Sequence, residues 1–366
     1  MPENVLAISN QDVLEVLTMP ECIEAIEATY REWDTGDSAG SPRAEYASPT
    51  SRTSERYTFA VHDGVSRVAG MAALRVRSDV IVSRGDRDQK YCIEPGTYCG
   101  LIFLYDVENG APLAMLHDAV VQQMRVAATA AVAAKSLARP DSSTLGIIGS
   151  GNQARTHADA YSTVLPIERI RCYSTSPENR EKFAEEYSDR LGIEVTAVDS
   201  AREALEGSDV VAACTIANDP VFDASWLEPG TFVSSVRHWS EVGPDLLERA
   251  DRIIVHQPPT LNWYVLGNDS EWDRALTPAG SQPTGSLAAM GEDRDRMVPT
   301  DGPLLVDVLA GREPGRIDDR ESVYFLNNFG TGLQFAACGS VVYRKVRERG
   351  LGTPLPLELF VEDMRD

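Results

Sequence analysis

The sequence predicts an α/β fold in which a doubly wound domain is inserted into an α+β domain made from both termini. Apolar runs alternate with helical patterns from Thr144 to His256, as in a parallel sheet covered by helices on both faces. Alternating strand patterns precede this region, and a helical pattern rich in Ala and Val follows it. The chain has 366 residues, which is more than one hydrophobic core usually supports.

The N-terminal part begins with an apolar stretch, Val5–Ile8, and Asn10 and Asp12 are predicted caps of the helical patterns that follow. A polar stretch then spans 34–56. From Tyr57 onwards, short apolar and alternating runs predict a meander of strands. This part is therefore predicted to contain helices first and a sheet afterwards.

The meander has a turn at 108–110 and leads into an Ala-rich helical pattern that ends before Pro140. After the inserted region, the segment 322–329 predicts a strand and 332–349 predicts a long helix. The predicted domains are a substrate-binding and dimerisation domain at 1–139 plus 318–366, and a dinucleotide-binding domain at 140–317.

Within the inserted region the pattern runs strand, helix, strand. Helices are predicted over 153–164, 178–191 and 201–205, between the strand runs TLGIIGS, RIRCYST, EVTAV and DVVAACT. The runs TFVSSV and RIIVHQ predict two further strands. Because these runs are apolar without alternation, they indicate strands that are buried on both faces.

The stretch GSGNQA, residues 149–154, follows the first of these strands and opens a helix. Gly149 permits a tight turn, Gly151 lets a pyrophosphate approach the backbone, and the small Ala154 lets helix and strand pack closely. Free N–H groups and the helix dipole favour an anion at this helix N-terminus. The motif predicts a Rossmann domain that binds a dinucleotide; a glycine turn in another kind of α/β sheet is the alternative.

The residues after the second strand favour NADP over NAD. An acid at this point holds the free 2′-hydroxyl of NAD and repels a 2′-phosphate. This chain instead has Ser174, Thr175 and Ser176, with no acid until Glu178 and with Arg180 nearby. Hydroxyl groups can donate hydrogen bonds to a phosphate.

Acidic residues outnumber Lys and Arg by 56 to 34, which gives a formal net charge of -22 at pH 7. Phosphate backbones and anionic membranes repel a surface of this sign, so neither a nucleic acid nor a membrane is a predicted partner. The charge indicates a strongly hydrated surface, typical of a salt-adapted organism.

The cysteines indicate the cellular compartment of the protein, and the histidines indicate whether it binds a metal. The six cysteines include no Cys-x-x-Cys pair and several lie in apolar runs, which favours a reducing cytoplasm. The N-terminus lacks the basic and apolar regions of a signal peptide, and no window of about 18 apolar residues occurs. The five histidines share no metal-ligand spacing, so no metal site is predicted. A soluble, cytoplasmic protein is expected.

Three arginines lie among apolar neighbours, where an uncompensated charge is unfavourable: Arg43, Arg75 and Arg125. Each guanidinium group can give two parallel hydrogen bonds to a carboxylate. That carboxylate belongs either to a substrate or to one of the many acidic side chains of the chain itself, and composition alone favours internal salt bridges.

At these residues the chain resembles the ornithine cyclodeaminase and mu-crystallin family. The runs that carry the resemblance are MRVAATAAVAAKSLARPDSSTLGIIGSGNQA, CYSTSPENREKFAEEY, GSDVVAACTIANDPVFDASWLEPGTFV, DVLAGREPGRIDD and NNFGTGLQFAACGSVVYRKVRERGLG. The resemblance covers nearly the whole chain and is strongest from Arg125 to Val236. It implies an inserted Rossmann domain, a nicotinamide cofactor, a homodimer, and chemistry at the α-carbon of an amino or imino acid.

The resemblance also implies roles for individual residues. Arg125 matches the family's substrate-carboxylate arginine, and Arg43 is similar to a second one. Arg75 stands where the family usually has lysine, so it can hold a carboxylate but cannot act as a neutral amine base. The implied cofactor contacts, beside Gly149, Gly151 and Ser174 to Ser176 of the turn and strand end, are Thr97, Asn152, Gln153, Thr215, Val236 and Asn328.

The chain departs from the family after the strand that ends near Val236. Family members typically carry a Val-Gly-x-Asp pattern there, whose acid helps to move protons at the substrate nitrogen. Aligned without gaps, the Gly, x and Asp of this pattern become Arg237, His238 and Trp239. Another common Asp becomes Phe335. Ornithine-type deamination and cyclisation therefore lacks its expected acid.

The function predicted is that of an NAD(P)-dependent oxidoreductase acting on a C=N or α-amino-acid centre, of the ketimine reductase or amino acid dehydrogenase type. Arg43, Arg75 and Arg125 are predicted to clamp the carboxylate of a small amine or imine substrate. His238 is the candidate proton donor, since histidine titrates near neutral pH; a packing histidine beside Trp239 is the alternative.

Two other functions stay open at this point. One is a cyclodeaminase with a rearranged acid such as Glu241 or Asp245. The other is a cofactor-dependent binding protein that has lost catalysis. The loop around 80–95, which is longer than in the family, leaves the substrate side chain undefined.

Overall fold

The computed structural model describes residues 3–52, 55–84, 87–217, 219–237, 241–257, 261–265, 302–327 and 330–362. The described chain forms two compact units. The first unit contains the described residues of Met1–Gln122 and Gly330–Asp366 together with the strand Leu261–Val265; the second contains those of Gln123–Pro258 and Arg296–Phe329. The predicted α/β class, with a doubly wound unit inserted between terminal segments, is confirmed.

The first unit is built on a mixed sheet. Its strands are β1 (Asn4–Ile8), β2 (Ser38–Gly40), β3 (Arg43–Pro49), β4 (Glu55–Ser66), β5 (Met71–Arg84), β6 (Arg87–Tyr91), β7 (Gly100–Asp106), β8 (Pro112–His117), β15 (Leu261–Val265) and β17 (Thr353–Pro356). The strand order is β15-β3-β4-β5-β7-β8-β1-β17, with β2 beside β4 and β6 beside β5. The helices are α1 (Asn10–Val16), α2 (Met19–Thr35) and α9 (Gly332–Arg349), and α3 (Ala119–Leu137) begins in this unit.

The N-cap of helix α1 lies one residue before Asn10, the first of the two caps predicted for it. Its N-cap is Ser9, whose hydroxyl accepts from the Asp12 backbone N–H at 3.2 Å, while the Asp12 carboxylate accepts from the Ser9 N–H at 2.8 Å. Asp12 therefore completes a capping box from inside the helix. Asn10 is not a cap: its Nδ2 donates to His117 Nδ1 at 2.9 Å.

The two faces of the sheet differ in burial, as the period of two along β4 shows. Thr58, Ala60 and His62 are buried, whereas Tyr57 and Val65 are exposed. Helix α9 packs against β4 and β5, and its Phe335 ring lies edge-on to His62 with ring centroids 5.9 Å apart. The face of Thr58, Ala60 and His62, called the inner face below, is therefore the one covered by α9.

The start of α9 lies directly on the backbone of β4. A Cβ added to Gly64 would lie 2.5 Å from the Leu333 backbone nitrogen, and one added to Gly332 would collide with the Asp63 carbonyl group. Two glycines that face each other allow this contact, because any larger residue would separate helix and strand.

The second unit is a parallel sheet of the doubly wound type. Its strands are β9 (Thr144–Ile148), β10 (Arg169–Tyr173), β11 (Glu194–Ala197), β12 (Val210–Ala213), β13 (Phe232–Ser235), β14 (Arg252–Val255) and β16 (Val323–Leu326). Its helices are α4 (Asn152–Val164), α5 (Pro177–Leu191), α6 (Ala201–Leu205), α7 (Pro244–Arg249) and α8 (Leu305–Leu309), with most of α3. The strand order is β11-β10-β9-β12-β13-β16-β14. From β9 the chain passes to β10 and β11 on one side and then returns to β12 on the other side of β9, so the topological switch point of the sheet lies between β9 and β12.

Two elements depart from the sequence prediction. The stretch 34–56, which the sequence analysis described only as polar, contains β2 and β3. The strand β16, assigned by sequence to the terminal domain that starts at 318, pairs in parallel with β13 and β14 in the doubly wound sheet. The compact units meet at 122/123, inside α3, and at 329/330, whereas the prediction placed the boundaries at 139/140 and 317/318. The roles assigned to the predicted domains stay predictions.

Along the described ranges, no helix has both the length and the apolar character that crossing a bilayer requires.

Replacing Gly332 by Ala should destabilise the first unit by about 3 kcal/mol, because the new methyl group meets backbone atoms that cannot rotate away. Gly339→Ala, in the same helix, is the matched control. There the added methyl meets Leu104 Cδ2 at 2.8 Å, a side chain that can move, and Ala favours the helix by about 1 kcal/mol. Urea unfolding followed by circular dichroism measures both; equal midpoints for the two variants would contradict the packing described.

Candidate active site

The glycine turn of the second unit connects β9 to α4 at the carboxyl edge of the parallel sheet. Gly149 has φ +111°, a conformation that L side chains rarely adopt, and a Cβ there would collide with the Cys214 carbonyl oxygen. Its N–H donates to the Tyr173 carbonyl at 2.7 Å. Gly151 is the N-cap of α4, and none of the described atoms lies within 4 Å of a Cβ added to it. The turn therefore has the shape and the open space that a pyrophosphate needs at a helix N-terminus.

Hydroxyl groups and an arginine surround the carboxyl end of β10. The Ser150 hydroxyl donates to Ser174 Oγ at 2.9 Å, and Ser176 caps α5 by accepting from the Asn179 N–H at 3.3 Å. Thr175 is exposed. Arg180 donates to the Ser174 carbonyl at 3.0 Å and to Asp199 at 2.5 Å. The predicted residues of this strand end thus lie together, with Thr175 facing solvent.

Glu241 joins the segments that follow β12 and β13. It is fully buried; its Oε1 accepts from the Thr215 backbone N–H at 2.6 Å, and its Oε2 accepts from the Arg237 backbone N–H at 3.2 Å. Burial raises the pKa of Glu241 to about 7. Asp245, the other acid considered for a cyclodeaminase, accepts from the Ala224 backbone N–H at 2.7 Å. Both acids therefore hold backbone N–H groups.

In the first unit, charged side chains gather on the inner face of the sheet. This inner-face cluster consists of Arg43, Glu45, Arg75, Arg77, Asp79, Lys90 and Asp118. Across β4, Glu45 and Arg77 both lie opposite the small Ala60, and Arg77 donates to Glu45 at 2.8 Å. Arg43 also donates to Glu45, and Arg77 Nε lies 2.5 Å from Asp79 Oδ2. Sequence reasoning missed the partners of the arginines, although Arg75, Arg77 and Asp79 alternate along one strand.

Arg75 is held by Asp118 and Tyr98. Its Nε and Nη2 lie 2.7 and 2.6 Å from Asp118 Oδ2, and its Nη2 donates to the Tyr98 hydroxyl at 2.9 Å. The guanidinium also lies over the Phe335 ring, 5.4 Å from its centroid. Burial opposes the charge of Arg75, but Asp118 and Tyr98 together outweigh this effect, so the pKa of Arg75 is raised. Arg43 and Arg75 thus each contact an internal carboxylate, as the salt-bridge interpretation expected.

The other predicted site residues are distributed between the two units. Arg125 is buried on α3 in the second unit, and Thr97 is exposed in the segment between β6 and β7 of the first. Gln153 begins α4 with Asn152, and Thr215 and Val236 follow β12 and β13. His238, Trp239 and Asn328 lie outside the described residues. In the part of the chain that the structure covers, no three His, Cys, Asp or Glu side chains are grouped to hold a metal ion.

Desolvation changes the acidity of two cationic members of the inner-face cluster. It lowers the pKa of Arg43 to about 10, and the Glu45 carboxylate opposes this change. Lys90 lies opposite Ile81 of β5 and therefore on the same face as Arg77 and Asp79, although the residue as a whole is exposed. Desolvation, with the positive charge of Arg77 as the next cause, lowers the pKa of Lys90 to about 8.

Comparison with known proteins identifies relatives along most of the chain. The model of the ornithine cyclodeaminase/mu-crystallin family matches residues 3–350. The N-((2S)-2-amino-2-carboxyethyl)-L-glutamate dehydrogenase of Staphylococcus aureus is 26% identical over 282 residues, which cover 76% of this chain and 76% of that protein.

Solved structures show the same fold. The Delta(1)-pyrroline-2-carboxylate reductase of Thermococcus litoralis, in complex with NADH and L-proline, has a TM-score of 0.75 and 27% sequence identity, and the match covers 96% of this chain and 100% of that one. An archaeal alanine dehydrogenase dimer with bound NAD has a TM-score of 0.73 and 22% identity, covering 96% of this chain and 99% of that one.

The amine of Lys90 should titrate close to neutral pH. The chain has four lysines, Lys90, Lys135, Lys182 and Lys345, so reductive methylation with ¹³C-formaldehyde gives a simple NMR spectrum. One dimethyl-lysine resonance is expected to shift with a midpoint near pH 8, and Lys90→Arg should remove that resonance. A Lys90 resonance with a midpoint above pH 10 would contradict the desolvation inferred at this position.

Proposed function

Because the chain belongs to the ornithine cyclodeaminase/mu-crystallin family, we propose that it is a nicotinamide-dependent oxidoreductase acting on a C=N or α-amino-acid centre, of the ketimine reductase or amino acid dehydrogenase type. The observation that carries this proposal is the glycine turn at the switch point of the parallel sheet, where Gly149 and Gly151 leave the N-terminus of α4 open. Two of the three proteins compared above, a dehydrogenase from Staphylococcus aureus and a reductase from Thermococcus litoralis, are enzymes of this kind by name.

In this proposal the second unit holds the cofactor. The backbone N–H groups at the start of α4 bind the pyrophosphate, and Asn152 and Gln153 line its approach. Thr215 and Val236, at the carboxyl ends of adjacent strands, lie on the side of the switch point where the nicotinamide half belongs. When bound, the cofactor supplies or accepts the hydride.

The ribose end of the proposed cofactor site favours NADP. Ser174, Thr175 and Ser176 provide hydroxyl groups after β10, and Arg180 is already positioned beside the Ser174 carbonyl. Its second partner, Asp199, has a largely exposed carboxylate, and an exposed ion pair of this kind contributes little stability. A 2′-phosphate could therefore replace Asp199 as the partner of Arg180 without a large loss.

Arginines are the proposed ligands of the substrate carboxylate. Arg125 is the primary ligand; Arg43 and Arg75 supply positive charge that Glu45 and Asp118 hold in a fixed orientation. The Nε and Nη2 atoms of Arg75 face Asp118 and Tyr98, so a substrate approaches its Nη1 edge. His238 remains the proposed proton donor. The cyclodeaminase alternative is less well supported, since Glu241 and Asp245 are engaged with the backbone.

A homodimer is the proposed assembly. The outer face of the sheet in the first unit carries half-exposed apolar side chains on neighbouring strands, including Phe59, Val61, Leu74, Val76 and Phe103. A contiguous apolar face of this kind is typical of a surface that a second protein copy covers.

The proposed activity is tested by oxidation of NADPH and NADH with cyclic imine carboxylates, and with 2-oxo acids plus ammonia or amines. Turnover with an imine, and a lower Kd for NADPH than for NADH, are expected. Ammonia release from ornithine without net cofactor consumption would instead support the cyclodeaminase. Cofactor binding without turnover of any substrate would support a binding protein that has lost catalysis.

Replacing Arg125 by Leu should lower kcat/KM by at least about a thousandfold, because the substrate carboxylate loses its charged partner. NADPH affinity, measured by fluorescence, should change less than about threefold, which also shows that the variant is folded. Arg125→Lys should recover part of the activity, since it keeps the charge but loses the bidentate geometry. Full activity of the Leu variant would overturn the assignment.

Replacing Phe103 by Lys should convert the dimer to a monomer, since a charge buried in an apolar interface is strongly unfavourable. Leu14→Lys is the control, because Leu14 is 61% exposed on α1, away from that face. Light scattering after size-exclusion chromatography gives the mass of each variant. If the unmodified protein elutes as a monomer, the proposed assembly is wrong.

A further inference from the structure

A buried carboxylic acid lies at the edge of the parallel sheet where two neighbouring strands end. Glu241 has no exposed surface, and its two oxygens accept from the Thr215 and Arg237 backbone N–H groups at 2.6 and 3.2 Å. Its own carbonyl accepts from the Val221 N–H at 3.0 Å. Because the side chain holds the segments after both β12 and β13, its position is fixed by the sheet.

The strand ends packed against Glu241 bring two ionisable groups of the described chain close to it. The groups facing it from β16 and from the end of β12 are the Tyr324 phenol and the Cys214 thiol, and burial raises the pKa of each, so both are neutral at pH 7. The segment that contacts its carbonyl carries Asp219 and Asp223, which are exposed acids. Arg237 approaches it through its backbone N–H.

The Glu241 carboxylate is stabilised by hydrogen bonds from the Thr215 side chain and from backbone N–H groups, and it is poised between two protonation states. Desolvation favours the neutral acid, whereas the N–H donors favour the ionised form. Burial prevails and raises the pKa of Glu241 to about 7. A cation brought to this edge of the sheet would shift the balance towards the carboxylate.

We propose that Glu241 is the counter-charge for an oxidised nicotinamide ring and thereby sets the preference of the protein for oxidised over reduced cofactor. This inference rests on the proposed cofactor function. Thr215 and Val236 are proposed cofactor contacts, and Glu241 binds the backbone of the first and of the residue after the second. The oxidised ring carries a positive charge and the reduced ring does not, so only the oxidised form gains from a carboxylate at this position.

The coupling has a defined proton balance. On binding of the oxidised cofactor, the neutral Glu241 acid would lose its proton to solvent, and the carboxylate would remain at the carboxyl ends of β12 and β13. When the reduced cofactor binds, the acid keeps its proton. By linkage, the affinity for the oxidised cofactor rises as pH rises through 7, and the affinity for the reduced cofactor does not. Glu241 therefore acts as a positioning and electrostatic residue for cofactor rather than as the proton donor to substrate.

Isothermal titration calorimetry at pH 7 in phosphate and in Tris buffer counts the protons released on binding. The full-length protein is expected to release about half a proton per NADP+ bound, if the pKa of Glu241 falls by about one unit, and none per NADPH. The Kd for NADP+ should then fall by about fivefold between pH 6 and pH 8.

Glu241→Gln should abolish the difference in proton release between the two cofactors and flatten the pH dependence of NADP+ affinity. Asp245→Asn is the matched control: it removes an acid that also accepts a backbone N–H, and it should keep both effects. Equal proton release for the two cofactors in the unmodified protein, or an unchanged difference in the Gln variant, overturns the inference. If neither NADP+ nor NADPH binds, the proposed function fails as well; binding without a proton difference overturns the role of Glu241 alone.

Discussion

A guanidinium group that leaves water must keep a negative charge beside it, and the inner face of the first sheet is arranged around this requirement. Glu45 accepts hydrogen bonds from both Arg43 and Arg77. Asp118 accepts hydrogen bonds from Arg75 and from Tyr98. These ion pairs fix the arginine side chains before any ligand arrives. A substrate that binds these arginines, as proposed, would therefore meet charges that are already oriented, and little side-chain entropy would be lost.

The second unit concentrates its polar chemistry on one edge of a sheet that is otherwise apolar. Strands β9, β12 and β13 are fully buried, so the backbone positions at their carboxyl ends are set by the packing of the whole sheet. The glycine turn follows the first of these strands and Glu241 links the ends of the other two. Because neighbouring strands carry both features, the proposed binding of the pyrophosphate and of the nicotinamide ring would depend on one rigid framework.

Local signals in the sequence predicted the inserted unit well and the charged face poorly. The helix expected over 332–349 has those bounds in the structure, since Thr331 and Gln334 form a capping box at its start and Gly350 ends it. Strand β3 was missed because the charged residues Arg43 and Glu45 lie on the inner face of the sheet, where a strand pattern is expected to place apolar residues. The partners Glu45 and Asp118 come from other strands or chain segments than Arg77 and Arg75, and no local pattern encodes such pairing.

The close contact between Gly64 and Gly332 joins residues that lie far apart in the sequence. Strand β4 is therefore translated long before the helix that covers it, and β16 takes its place between β13 and β14 of the parallel sheet only shortly before that helix is made. A polypeptide released before these segments are translated leaves both sheets open, with apolar surface that chaperones and proteases recognise. Premature termination before β16 therefore leaves neither unit intact, whereas termination after Phe329 but before the end of α9 leaves the first unit alone incomplete.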